Sequence, residues 1–77
     1  MSRRIITPRP WLTELRKEKG FATITDLAIA LDVHDNTVRF WETGERNPSP
    51  AMVVKIAEVL GASTSDMLVQ FFDAKSA

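Results

Sequence analysis

Residues 27–44 read Leu27-Ala28-Ile29-Ala30-Leu31-Asp32-Val33-His34-Asp35-Asn36-Thr37-Val38-Arg39-Phe40-Trp41-Glu42-Thr43-Gly44, two apolar stripes separated by a short polar turn. Leu27, Ala28 and Leu31 recur at the spacing that places side chains on one face of a helix. Val38 and Trp41 form the stripe of a following helix, which the sequence starts near His34-Asp35-Asn36 and stops at Gly44. Ala28 is small, as a close crossing of the two helices requires. Val33 stands in the turn, where it can anchor the turn to the core. With Val38 and Trp41 holding the second helix down, its opposite face is left outward.

Working outward, Thr23 and Asp26 resemble a capping box with Asp in place of the usual Glu, and open the helix that carries Leu27. Before it, Pro10 suits a first helical position. Trp11, Leu12 and Leu15 then line one side of a helix reaching about Lys19, where Gly20 stops it. After Gly44, the run Glu45-Arg46-Asn47-Pro48-Ser49-Pro50 is a loop, because two prolines and polar residues do not extend a helix. Ser49 is a good N-cap and Pro50 a good first residue for a helix bearing Val53, Ile56, Ala57 and Leu60, closed by Gly61. Ser63 and Asp66 repeat the capping pattern before Met67, Leu68, Phe71 and Phe72. The reading is all-α: a compact five-helix bundle without strands or internal repeats. It divides into an extended basic arm at residues 1–9, a helical domain at 10–72 and a tail at 73–77.

Composition sets the outer bounds. Seventy-seven residues make one domain with one core. Without cysteine there is no disulfide framework and no thiolate metal site, so stability rests on helix packing, helped by dimerisation if the chain dimerises. No apolar run approaches the roughly 18 residues that span a bilayer. Met1-Ser2-Arg3-Arg4 is not followed by an apolar segment of the secretory kind, so a cytoplasmic protein is expected. Net charge is zero but polarised: residues 1–20 carry six basic and two acidic groups (+4), residues 21–45 one basic and five acidic groups (−4). Charge alone therefore names no nucleic-acid partner. There is no Gly-rich phosphate loop, no His/carboxylate metal cluster and no nucleophile-base arrangement, so neither an enzyme nor a cofactor is expected.

The run Leu27-Ala28, Leu31, Val33, Thr37-Val38, Trp41-Glu42, Gly44, then Arg46-Asn47-Pro48-Ser49 and Ile56-Ala57-Leu60-Gly61, resembles the lambda-repressor-like, or XRE, helix-turn-helix family. The likeness covers about residues 11–70. It implies a lambda-repressor-like fold and a sequence-specific double-stranded DNA-binding transcriptional regulator of repressor type, as known in phage and other prokaryotic settings. The third helix would lie in the major groove, and a homodimer would bind a pseudo-palindromic operator. The resemblance also makes Arg16 and Glu42 a partly buried ion pair joining the first and third helices. Three features depart from the family: Ile24 where a phosphate-binding glutamine is usual, Asp32 where the turn usually has glycine, and one extra residue between Gly20 and Leu27.

Asp35, Asn36, Arg39 and Phe40 are the candidates for base contact. Asn36 suits adenine and Arg39 suits guanine. Asp35 could accept from cytosine N4, or simply cap its helix and oppose the dipole. Phe40 could meet a thymine methyl, or pack against Arg4 or a partner subunit. Thr23, Thr37, Arg46 and Asn47 are candidates for phosphate contact. So are Arg3, Arg4 and Arg9, as an arm over the backbone or minor groove, although residues 1–5 read equally well as a solvated tail. His34 is the only histidine and reads as a polar turn residue rather than a metal ligand. The rival function is a protein-interaction module on the same fold (antirepressor, antitoxin-like or adaptor). The acidic centre and the apolar Val69, Phe71 and Phe72 favour it. A positive stripe with Arg3, Arg9, Arg39 and Arg46 favours DNA.

Overall fold

Helix starts follow the capping residues in a computed structural model that describes residues 8–72. The elements are α1 (Pro10–Glu18), α2 (Ile24–Leu31), α3 (Asp35–Thr43), α4 (Pro50–Leu60) and α5 (Thr64–Phe72). Thr23 caps α2 with both bonds of the box: Asp26 N–H donates to Thr23 Oγ1 at 3.1 Å, and Thr23 N–H donates to Asp26 Oδ2 at 3.2 Å. Ser49 caps α4 by accepting from Met52 N–H at 3.1 Å. Ser63 Oγ accepts from Asp66 N–H at 3.4 Å ahead of α5. At α3 the cap is His34 and not Asp35: His34 Nδ1 accepts from Asn36 N–H at 3.1 Å. An imidazole nitrogen that accepts carries no proton. Asp35 is left as the first-turn acid that opposes the helix dipole.

The turn between α2 and α3 closes through a left-handed residue. Asp32 has φ 59° and ψ 46° and is the one non-glycine with positive φ among the described residues. Asp32 N–H bonds Ile29 O at 3.1 Å and Val33 N–H bonds Ala28 O at 3.0 Å, the paired bonds of a Schellman motif. The same pair ends α4, where Gly61 takes the left-handed place: Gly61 N–H to Glu58 O and Ala62 N–H to Ala57 O. Aspartate therefore does here what glycine does elsewhere in the chain, with a short polar side chain that tolerates the conformation.

Every helix contributes to one core. Leu12, Leu27, Ala28, Leu31, Val38, Trp41, Val53, Ile56, Ala57, Leu60, Met67 and Phe71 are buried, with Trp11, Leu15, Val33 and Leu68 packed against them. The stripes expected on α2, α3 and α4 are thus the buried ones. At the chain's end the adjacent phenylalanines separate: Phe71 is buried, with its ring centroid 5.1 Å from that of Trp11 in an edge arrangement, whereas Phe72 is exposed. Among the described residues, no helix is long and apolar enough to cross a membrane.

Candidate nucleic-acid interface

At about 100° per residue, α3 turns Val38 and Trp41 inward and presents Asn36, Arg39, Phe40 and Thr43 on the opposite side. Burial agrees: Asn36 and Arg39 are exposed, while Thr37, Phe40 and Thr43 are half-buried at the margins. Asn36 and Arg39 are also bonded to each other, with Arg39 Nη1 donating to Asn36 Oδ1 at 2.7 Å. Asp35 is half-buried and faces α2, where its Oδ2 accepts from Thr25 Oγ1 at 3.3 Å. Its Oδ1 lies 3.4 Å from His34 Nδ1.

Beside this face lies a depression of about 480 Å³ bounded by Thr37, Phe40, Arg46, Asn47 and the start of α4 at Ser49. Three phosphate candidates, Thr37, Arg46 and Asn47, are therefore gathered at one edge of α3. The Arg46 guanidinium carbon stands 5.5 Å from the centre of the Phe40 ring, a cation-π distance. Arg46 thus packs over the Phe40 ring. Thr23 is exposed at the start of α2. Its oxygen accepts in the cap, and its hydroxyl hydrogen is left to donate.

The inner and C-terminal sides of α3 are fixed by polar contacts. Arg16 Nε donates to Glu42 Oε2 at 2.7 Å, the two side chains being only 5% and 8% exposed. Thr13 Oγ1 donates to the other carboxylate oxygen at 2.6 Å, and Arg16 Nη1 donates to Phe21 O at 2.8 Å. Such a pair offsets its desolvation because the remaining lone pairs and protons also find partners.

Arg9 overturns an expectation. Expected in the arm as a phosphate contact, it is instead 9% exposed and belongs to the folded domain. Its N–H donates to Glu42 O at 2.8 Å, and its guanidinium donates to Trp41 O, Arg46 O and Asn47 Oδ1. The guanidinium carbon also sits 5.1 Å from the centre of the Phe71 ring. A cation is favourable against the carbonyl end of a helix, and these acceptors make the burial possible. Desolvation lowers its pKa from the ordinary arginine value, though arginine stays protonated in proteins. Arg9 therefore ties the end of α3, the following loop and α5 together, and lies inside rather than on any positive stripe. Of that stripe, Arg39 and Arg46 are exposed on the described surface. Arg3 and Arg4 lie outside the described residues, as does the tail at 73–77.

Thr13 and Thr25 were not among the candidates, yet one holds Glu42 and the other holds Asp35. Thr13 had a readable signal, because it stands three residues before Arg16 on the same face of α1. Thr25 had none, since its partner belongs to another helix. Among the described residues, no group of three His, Cys, Asp or Glu side chains is placed to hold a metal.

Two helices joined by a tight turn, the second bare on one side and packed on the other, define a helix-turn-helix protein. A family model described as Helix-turn-helix matches residues 12–67. The chain belongs to this XRE/lambda-repressor-like helix-turn-helix family of DNA-binding transcription regulators. Searches of curated proteins and of solved structures found no match.

Proposed function

We propose that this chain is a cytoplasmic, sequence-specific regulator of repressor type that binds duplex DNA with α3 in the major groove. The observation that carries this reading is the asymmetry of α3. Its outward N-terminal half holds Asn36 and Arg39 free of the rest of the fold, while Glu42, Val38 and Trp41 fix the helix from behind. In this fold class it is the N-terminal residues of the second motif helix that meet base edges. Thr37, Arg46 and Asn47 flank that half and would take phosphates. Thr23 would add a contact from the start of α2.

A homodimer would place two copies of α3 about 34 Å apart, one turn of DNA, on a pseudo-palindromic operator. Occupying a promoter in that way would exclude polymerase. The exposed apolar side chains Val69 and Phe72 on α5 offer surface for the dimer contact.

The test is selection of bound duplexes from a random-site pool, repeated across salt concentrations. An enriched palindrome with affinity falling as salt rises is expected. The alternative is a protein-interaction module, favoured by Ile29, a large apolar residue left 73% exposed on α2 beside the acidic segment. No enrichment and no binding at about 50 mM salt would overturn DNA binding and turn the search to a protein partner.

A further inference from the structure

Asn36 and Arg39 are not two independent side chains. Arg39 Nη1 donates to Asn36 Oδ1 at 2.7 Å. A carboxylate is ordinarily the stronger partner for a guanidinium than an amide oxygen. Asp35 stands four residues before Arg39, the spacing at which an acid and a base meet on a helix. Arg39 is nonetheless paired with Asn36, because Asp35 is turned toward Thr25 of α2. Among the described residues, Arg39 forms no ion pair.

Resting on the DNA-binding reading, we propose that Asn36 is a positioning residue for Arg39, and that the two together read one guanine. Guanine offers two acceptors in the major groove, N7 and O6, and takes two N–H donors. A guanidinium carries five donors in a rigid plane. The bond to Asn36 uses one of the five and leaves four, more than the two that guanine takes. Holding the side chain before DNA arrives also lowers the entropy lost on binding. An adenine contact, in contrast, requires Asn36 Oδ1 to accept from N6 while Nδ2 donates to N7. That oxygen already faces the Arg39 cation, which disfavours the approach of a second donor group. An adenine contact would have to use the second lone pair of Asn36 Oδ1 beside that cation, so the observed Arg39–Asn36 bond favours the guanine arrangement.

The test is random-site selection with the wild type, Arg39→Ala, Asn36→Ala, Asn36→Asp and the Arg39/Asn36 double alanine variant. Thermal melting of each protein confirms that it is folded. Aspartate can hold the guanidinium but cannot donate to adenine N7. Arg39→Ala and Asn36→Ala are expected to relax the preference at the same guanine, by roughly tenfold or more for Arg39→Ala. The double variant should be no worse than Arg39→Ala alone. Asn36→Asp should keep guanine at that position while total affinity falls, since it adds negative charge beside phosphates. The proposal is overturned if the Asn36 variants relax a different base pair, read as adenine, and Asn36→Asp fails as badly as Asn36→Ala. It also falls if the wild type enriches no site, in which case the DNA-binding reading falls with it. A wild type that enriches a site with separate positions for the two residues sinks only the positioning role.

Discussion

The two halves of α3 are built for opposite purposes. In the C-terminal half, Trp41 is buried, Glu42 is held by Arg16 and Thr13, and the last carbonyls are taken by Arg9. In the N-terminal half, the Asn36 and Arg39 side chains are exposed and, among the described residues, bonded only to each other. Nine residues thus contain both a fixed platform and an exposed polar face. Identical chemistry has different consequences in the two halves. Arg9 and Arg16 are inside the fold, where they bear on its stability, whereas Arg39 is outside it and, under the proposed function, bears on binding.

That contrast orders the expected effects of substitution. Arg16→Ala strands the Glu42 carboxylate in a nearly dry site and is expected to cost about 3–5 kcal/mol. A chain of this length holds roughly 4–12 kcal/mol in total. Urea denaturation should show a large drop in midpoint, and an unchanged midpoint would break the platform half of the comparison. Arg9→Ala should follow at about 1.5–3 kcal/mol, as bonds from a charged donor to buried carbonyls are lost. An Arg9 variant that kept full stability but lost DNA affinity would return the residue to the arm. Asp32→Gly should move stability the other way. A left-handed L-residue costs roughly 1–2 kcal/mol and aspartate somewhat less, so a gain of about 1 kcal/mol is expected; a loss would mean that the aspartate side chain holds the turn.

Arg46→Ala sharpens the contrast from the exposed side. It should leave the denaturation midpoint within about 0.5 kcal/mol of the wild type. It should weaken binding to all duplexes alike and reduce the slope of log affinity against log salt by about 1. A base-specific loss would move Arg46 out of the phosphate set.

The fold was legible in the sequence largely because its punctuation is chemical. Thr23, Ser49 and Ser63 start helices, Gly20, Gly44 and Gly61 stop them, and the stripes on α2, α3 and α4 coincide with the buried residues. Asp32 stood out only through the family resemblance, which puts glycine in that turn, and its short polar side chain tolerates the left-handed conformation. The platform was only half legible. The pairing of Arg16 with Glu42 came from family resemblance, but Arg9 read as one more cation of a basic arm. Its acceptors lie 32 or more residues away, in carbonyls and an amide that no local pattern places near it. On the outward face, Asp35 and Asn36 are both spaced to meet Arg39, so spacing could not choose between them. The choice was made by Thr25, on another helix.

The most direct measurement is the affinity of the wild type and Arg39→Ala for a selected duplex and a scrambled one, at the same salt. If Arg39 reads a base, Arg39→Ala loses roughly tenfold or more on the selected duplex, changes little on the scrambled one, and melts as the wild type does. Equal loss on both duplexes would contradict it, because Arg39 would then be a phosphate contact and α3 would not be the surface that reads sequence.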